Sequence, residues 1–350
     1  MYDGLMTTYQ AISPGTGAFV KEKIPVPDAD EVLVKISCCG ICGTDYALFS
    51  GNSSFIKNSQ ASYPIRLGHE WSGIVVKTGP DVTDLVSGCK VIGDNYVACG
   101  VCPACKEKNY NYCSGRHHVG TINPCWPGAF SEYFLIPRRH IYKIPDNISL
   151  EEAALCEPLS VAYGGIRKMS INSESVVVVI GTGSIGMSAA ALAIYKGAGN
   201  VIVIGRNPVK LEIAKKLGVT GIINSKECNV SEEILKITGG KYADYILECS
   251  GNADVIQTMF QIAAQKAMIA AIGFYERKIS DFDIDSMVSK EITITGIMGE
   301  YGNLEAVLKI MEKNDLKLRN IITDIVSFND CDKAFQPENT SKIIKTIVKM

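Results

Sequence analysis

At 350 residues the chain is long for one domain, so two are expected, and apolar residues at 47% are enough for two ordinary cores. No apolar run approaches the roughly 20 residues of a membrane span. A net charge of −2 leaves no basic footprint for nucleic acid. The segment Met1-Tyr2-Asp3-Gly4-Leu5-Met6 carries neither a basic region nor an apolar stretch of signal-peptide length, so a reducing, cytoplasmic setting is expected.

The first 150 residues hold short β-like runs broken by glycine and proline, at 31–36, 73–76, 90–92 and 130–136. They predict a small irregular β domain. Within it, Cys42-Gly43-Thr44-Asp45 and Gly68-His69-Glu70-Trp71 read as two halves of one metal site. Thiolate, imidazole and carboxylate are all zinc donors, and fewer than four fixed donors leave a position open for water or substrate, as catalytic zinc requires. Taken singly, Cys42 reads equally well as a buried thiol and His69 as a satisfied core histidine. Further on, Cys99, Cys102, Cys105 and Cys113 are spaced C-x2-C-x2-C-x7-C within fifteen residues. Four thiolates so close can complete a tetrahedral shell around a second, structural zinc. The alternative is a pair of disulfides, which a reducing compartment disfavours.

Near residue 150 the texture changes to strands alternating with helical stretches. Strands are expected at 176–180, 201–204, 221–223, 245–247 and 268–272, with helices at 185–196, 210–217 and 255–264. Continuous apolar strands in such alternation predict an α/β doubly wound parallel sheet covered on both faces. Between the first strand and its helix stands Gly181-Thr182-Gly183-Ser184-Ile185-Gly186, a G-x-G-x-x-G turn in the context a dinucleotide fingerprint requires. A helix N-terminus there offers amide donors to a pyrophosphate. An acidic residue about twenty positions further on holds the ribose of NAD. Here that place is Gly205, followed by Arg206, and Lys210 opens the next helix. A carboxylate would repel a 2′-phosphate, whereas glycine leaves room and a guanidinium attracts it, so NADP is favoured over NAD. The last run, Ile343 to Val348, looks like one more strand of the first domain, which implies a catalytic unit of 1–157, a nucleotide unit of 158–295 and a return at 296–350.

Together these motifs resemble the zinc-dependent medium-chain dehydrogenases of the alcohol dehydrogenase superfamily. The resemblance runs nearly end to end and implies a Rossmann domain beside a GroES-like catalytic domain. Ala154-Leu155-Cys156-Glu157-Pro158 is similar to the polyol and threonine dehydrogenase branch. Carried over, Cys42, His69 and Glu70 bind the catalytic zinc, with Glu157 as fourth ligand or water-linked neighbour. Thr44 matches the hydroxyl that passes on the alcohol proton, and Asp45 the carboxylate behind the ligating histidine. The implied reaction moves hydride between a nicotinamide and a secondary alcohol, polyol, sugar alcohol or its phosphate, or a hydroxy amino acid. A homo-oligomer, most often a tetramer in that branch, is implied too. Three features depart from relatives. Ala47 stands where many have a histidine, and Gly299-Glu300 stands where sorbitol dehydrogenases have an Arg-Tyr pair. Pro124-Cys125-Trp126-Pro127, with Tyr46 and Phe49, is expected near the substrate. A zinc-binding regulatory module and a catalytically silent relative are the competing readings, separable by counting metal ions.

Overall fold

Val176–Ile180 is apolar at every position, and all five residues are buried at the centre of a six-stranded parallel sheet. The computed structural model describes residues 4–279, 282–298, 302–336 and 342–350. Across the sheet the strands run Gly221–Asn224, Asn200–Gly205, Val176–Ile180, Ala243–Glu248, Ala263–Ala271 and Thr293–Gly296. In sequence order that is 3-2-1-4-5-6, so the strand order reverses beside Val176–Ile180 and opens a crevice at the strands' carboxyl ends. Helices Ser184–Tyr195 and Pro208–Leu217 are among those that follow these strands.

The other domain is built on a seven-stranded sheet. Its path runs Ile141–Lys143, Lys90–Gly93, Glu70–Thr78, Glu31–Gly40, Lys345–Lys349 and Ile322–Ser327, with Tyr133–Pro137 also paired to Glu31–Gly40. Lys345–Lys349 lies antiparallel against Glu31–Gly40. A hairpin of Leu5–Ser13 and Thr16–Lys23, which the sequence reading left out, adds a two-stranded sheet. Helix Cys156–Ile166 leaves this domain and packs along Ser184–Tyr195. Asn303, at the head of helix Asn303–Lys313, donates to the Ser160 carbonyl at 3.1 Å and so fixes the far end of the return. Gly299 and Glu300, which bear on the sorbitol comparison, lie outside the described residues.

Candidate metal and cofactor site

Glu31–Gly40 ends one residue before Ile41-Cys42, and Glu70 opens the neighbouring strand; Gly40 and Glu70 are register partners. Pairing alone therefore brings the two sequence motifs together. Cys42 precedes helix Gly43–Ser50, and Asp45 in its first turn reaches back to accept the Cys42 amide at 2.9 Å. The other Asp45 oxygen accepts from the Gly68 amide at 3.2 Å and lies 3.5 Å from His69 Nδ1. One buried carboxylate thus ties both motifs and stands behind the imidazole, whose Nδ1 is buried without a hydrogen-bond partner.

The ligand atoms of Cys42, His69 and Glu70 all lie within 4.8 Å of one another. Burial disfavours the imidazolium, yet Asp45 and the Cys42 sulfur outweigh it and hold the His69 pKa well above its ordinary value. Glu70 Oε1 is buried without a hydrogen-bond partner. A carboxylate, a thiol and an imidazole converge with an unused carboxylate oxygen among them, a donor set suited to a divalent cation. Glu157 stands outside that group. It sits in the first turn of Cys156–Ile166, is 9% exposed, and accepts from Asn95 Nδ2 at 2.6 Å. Burial raises its pKa to about 7, with His69 and Lys345 pulling it down and Glu70 pushing it up.

In the lobe, Cys102 Sγ lies 3.5 Å and Cys99 Sγ 3.9 Å from Cys105 Sγ, and all four sulfurs fall within 4.8 Å. A tetrahedron with zinc–sulfur bonds of about 2.3 Å has edges near 3.8 Å, so the spacing fits zinc. It is far too long for a disulfide. The Val101 and Cys102 amides donate to Cys99 and lower its pKa to about 6. His140 anchors the lobe's root: Nδ1 is 2.8 Å from Asp94 and Nε2 accepts from the Ala98 amide at 3.0 Å. That pattern requires a neutral ring with its proton on Nδ1.

At the nucleotide turn, Gly181 has φ +114°, and a Cβ on Gly186 would lie 2.1 Å from the Gly181 carbonyl oxygen. A Cβ on Gly183 would meet no atom within 4 Å, so the outer face of the turn is open. Gly183 precedes helix Ser184–Tyr195 and has no side chain to cap the first turn that Ser184 and Ile185 begin. That is the cradle a pyrophosphate needs. Gly205 ends Asn200–Gly205, and a Cβ there would lie 2.4 Å from Thr182 Cγ2. Arg206 follows exposed, Asn207 caps helix Pro208–Leu217, and partly buried Lys210 has its pKa lowered by desolvation.

Thr44 is partly buried on the first turn beside Cys42. Tyr46 donates to the Ala334 carbonyl and Phe49 stacks on Phe335, so both join an aromatic cluster of the catalytic domain. Trp126 packs against His117 and donates to the Leu135 carbonyl. Sequence reasoning missed Lys345, although a lone charge inside the apolar run Ile343–Val348 was a signal that a buried partner awaited it. For Asn95 and the Asp94–His140 pair the sequence offers no comparable signal.

Residues 28–146 match the alcohol dehydrogenase GroES-like domain, and residues 184–313 match the zinc-binding dehydrogenase family. A sorbitol dehydrogenase of Bacillus subtilis (strain 168) is 32% identical over 328 residues, covering 93% of this chain and 92% of that one. A zinc-binding dehydrogenase of Sinorhizobium meliloti 1021, solved with NADP, superposes with a TM-score of 0.90 at 26% identity, covering 99% and 100%. A chain described as a short chain alcohol dehydrogenase of E. coli CFT073, solved with NADH, gives 0.88 at 25%, with the same coverage. With the donor set, the thiol lobe and the nucleotide cradle already in place, the chain belongs to the zinc-dependent medium-chain dehydrogenases, in their polyol dehydrogenase branch.

Proposed function

We propose that this enzyme transfers hydride between NADP(H) and a secondary alcohol or its ketone, the substrate being a polyol, a sugar alcohol or its phosphate, or a hydroxy amino acid. The observation that carries the reading is the convergence of Cys42, His69 and Glu70 at one point, with Glu157 beside them on a helix that packs along the fingerprint helix. Zinc bound there supplies a Lewis acid that polarises a carbonyl or acidifies a hydroxyl, and the nicotinamide supplies or accepts the hydride.

The chain's own groups do the rest. Asp45 stands 3.5 Å behind His69 Nδ1, where its carboxylate would orient the ring as a metal ligand. Thr44 relays the alcohol proton, its hydroxyl oxygen accepting it while giving up its own proton toward solvent. Glu157, outside the three converging donors and with one oxygen held by Asn95, is the water-linked neighbour of the metal rather than one of its fixed ligands. Cys99, Cys102, Cys105 and Cys113 hold a second, structural zinc. Free thiols at that lobe fit a cytoplasmic home. Residues 1–157 and 296–350 form the catalytic unit around the nucleotide unit 158–295.

The preference for NADP rests on the end of Asn200–Gly205. Thr182 fills the space in which an acidic side chain at 205 would begin. The strand end is thus closed to the NAD carboxylate, while Arg206 remains exposed for a 2′-phosphate. A charge-assisted bond contributes about 1.5–3 kcal/mol, or roughly ten- to 150-fold in preference. Steady-state kinetics with both nucleotides test this: kcat/KM is higher with NADP(H), and Arg206→Ala erases most of the difference. A tenfold preference of the unmutated protein for NAD overturns it. Reversal needs Thr182→Ala together with Gly205→Asp and Arg206→Ile, because Gly205→Asp alone collides with Thr182.

A further inference from the structure

Lys345 places an ammonium group at the metal site that no step above uses. It opens the last strand, and its side chain and that of Glu70 are each 1% exposed. Nζ donates to the Ile41 carbonyl at 2.9 Å and to Glu70 Oε2 at 2.5 Å. A charge so far from water persists only with partners of this kind. The same oxygen occupies space left by Gly40, where a Cβ would stand 2.3 Å from it. Gly40 is paired to Glu70 on one side and to Ile347 on the other. Three adjacent strands therefore bracket one carboxylate oxygen. The other, Oε1, is the buried oxygen with no partner.

We propose that Lys345 is a positioning residue for the catalytic metal: with the gap at Gly40 it captures Oε2 of Glu70, so that the carboxylate presents a single oxygen to the metal beside Cys42 and His69. This rests on the reading of those three residues as a metal site. Without the ammonium, the carboxylate is free to turn, to offer both oxygens or to swing out of line. Metal affinity thereby depends on the last strand being docked. Reciprocity of linkage then requires the metal to hold that strand by the same factor. A salt bridge that merely packs the strand down would lower thermal stability and leave the metal untouched.

The test uses the full-length enzyme loaded with zinc, and cobalt(II) as a spectroscopic probe. Partners behind metal ligands typically alter affinity by roughly 10–100-fold. Lys345→Met is expected to weaken the catalytic-site metal by that factor in chelator competition, to change the cobalt d–d spectrum, and to fall from two zinc ions per chain to one on dialysis. The lobe zinc stays, and Lys345→Arg restores most of the affinity. Unchanged affinity and spectrum in Lys345→Met overturn the proposal. If that variant does not fold, hydrogen exchange on the unmutated protein decides. Removing only the catalytic metal should speed exchange of the 345–349 amides by roughly the same factor, and equal protection overturns the coupling. Should Cys42→Ser instead keep two metals per chain, the site reading itself fails, independently of Lys345.

Discussion

Asp45 is where the chemistry of single residues is concentrated: one fully buried carboxylate accepts the Cys42 and Gly68 amides and stands behind His69. Because Cys42 is only partly buried rather than part of a core, Cys42→Ser should abolish turnover and remove one of two zinc ions with the fold intact. Metal analysis beside circular dichroism checks this, and retention of both ions with substantial activity would contradict it. Cys42, His69 and Glu70 were legible in the sequence because one of only four histidines stands next to a glutamate in a compact motif that pairs with a second one around Cys42. Lys345 was not, because its meaning depends on a partner 275 residues away that only sheet pairing supplies. Asn95 was hidden for a plainer reason. An asparagine in a loop is ordinary until Glu157 is seen to be buried against it.

Among elements, the thiol lobe hangs from the sheet by a polar hinge. Asp94, His140 and the Ala98 amide form a buried chain of hydrogen bonds, reinforced by Arg139 donating to the Ala98 carbonyl at 2.7 Å. Replacing His140 with phenylalanine removes the acceptor for Ala98 and the donor for Asp94, and Asp94 already has its pKa raised by burial. Each stranded group costs about 1–3 kcal/mol, so the variant should melt earlier and lose lobe zinc before catalytic metal. Calorimetry with a zinc-release dye reads both, and simultaneous loss of the two metals would argue against a separate hinge. Periodicity found five of the six Rossmann strands, to within a residue or two at most ends, because strands buried on both faces are apolar throughout, and it missed the edge strand Thr293–Gly296. It missed Leu5–Ser13 with Thr16–Lys23, whose apolar and polar residues alternate too loosely to stand out.

At the scale of the whole molecule, the nucleotide sheet ends in Thr293–Gly296, which has no partner on its outer side among the described residues. Ile284, Val288 and Met298 near that edge are 55%, 69% and 66% exposed. An unpaired edge flanked by apolar side chains is an open template for a second strand. We expect subunits to join there, with the homotetramer of the resemblance as the assembled state. Light scattering should show an oligomer at micromolar concentration, and Ile284→Lys with Val288→Lys should lower its mass. A monomeric unmutated protein would end that expectation.

The position of Lys345 also sets an order of assembly. The lobe's four thiols come from fifteen neighbouring residues and can close around zinc as soon as that loop exists. The proposed catalytic centre groups Cys42, His69 and Glu70, and Lys345 reaches Glu70 only when Lys345–Lys349 enters the sheet. On refolding from denaturant with metal present, lobe zinc should be regained early and the catalytic-site cobalt spectrum last, together with protection of 345–349. The centre then reports on strand order, since Glu70 gains its ammonium partner only once Lys345–Lys349 has paired with Glu31–Gly40.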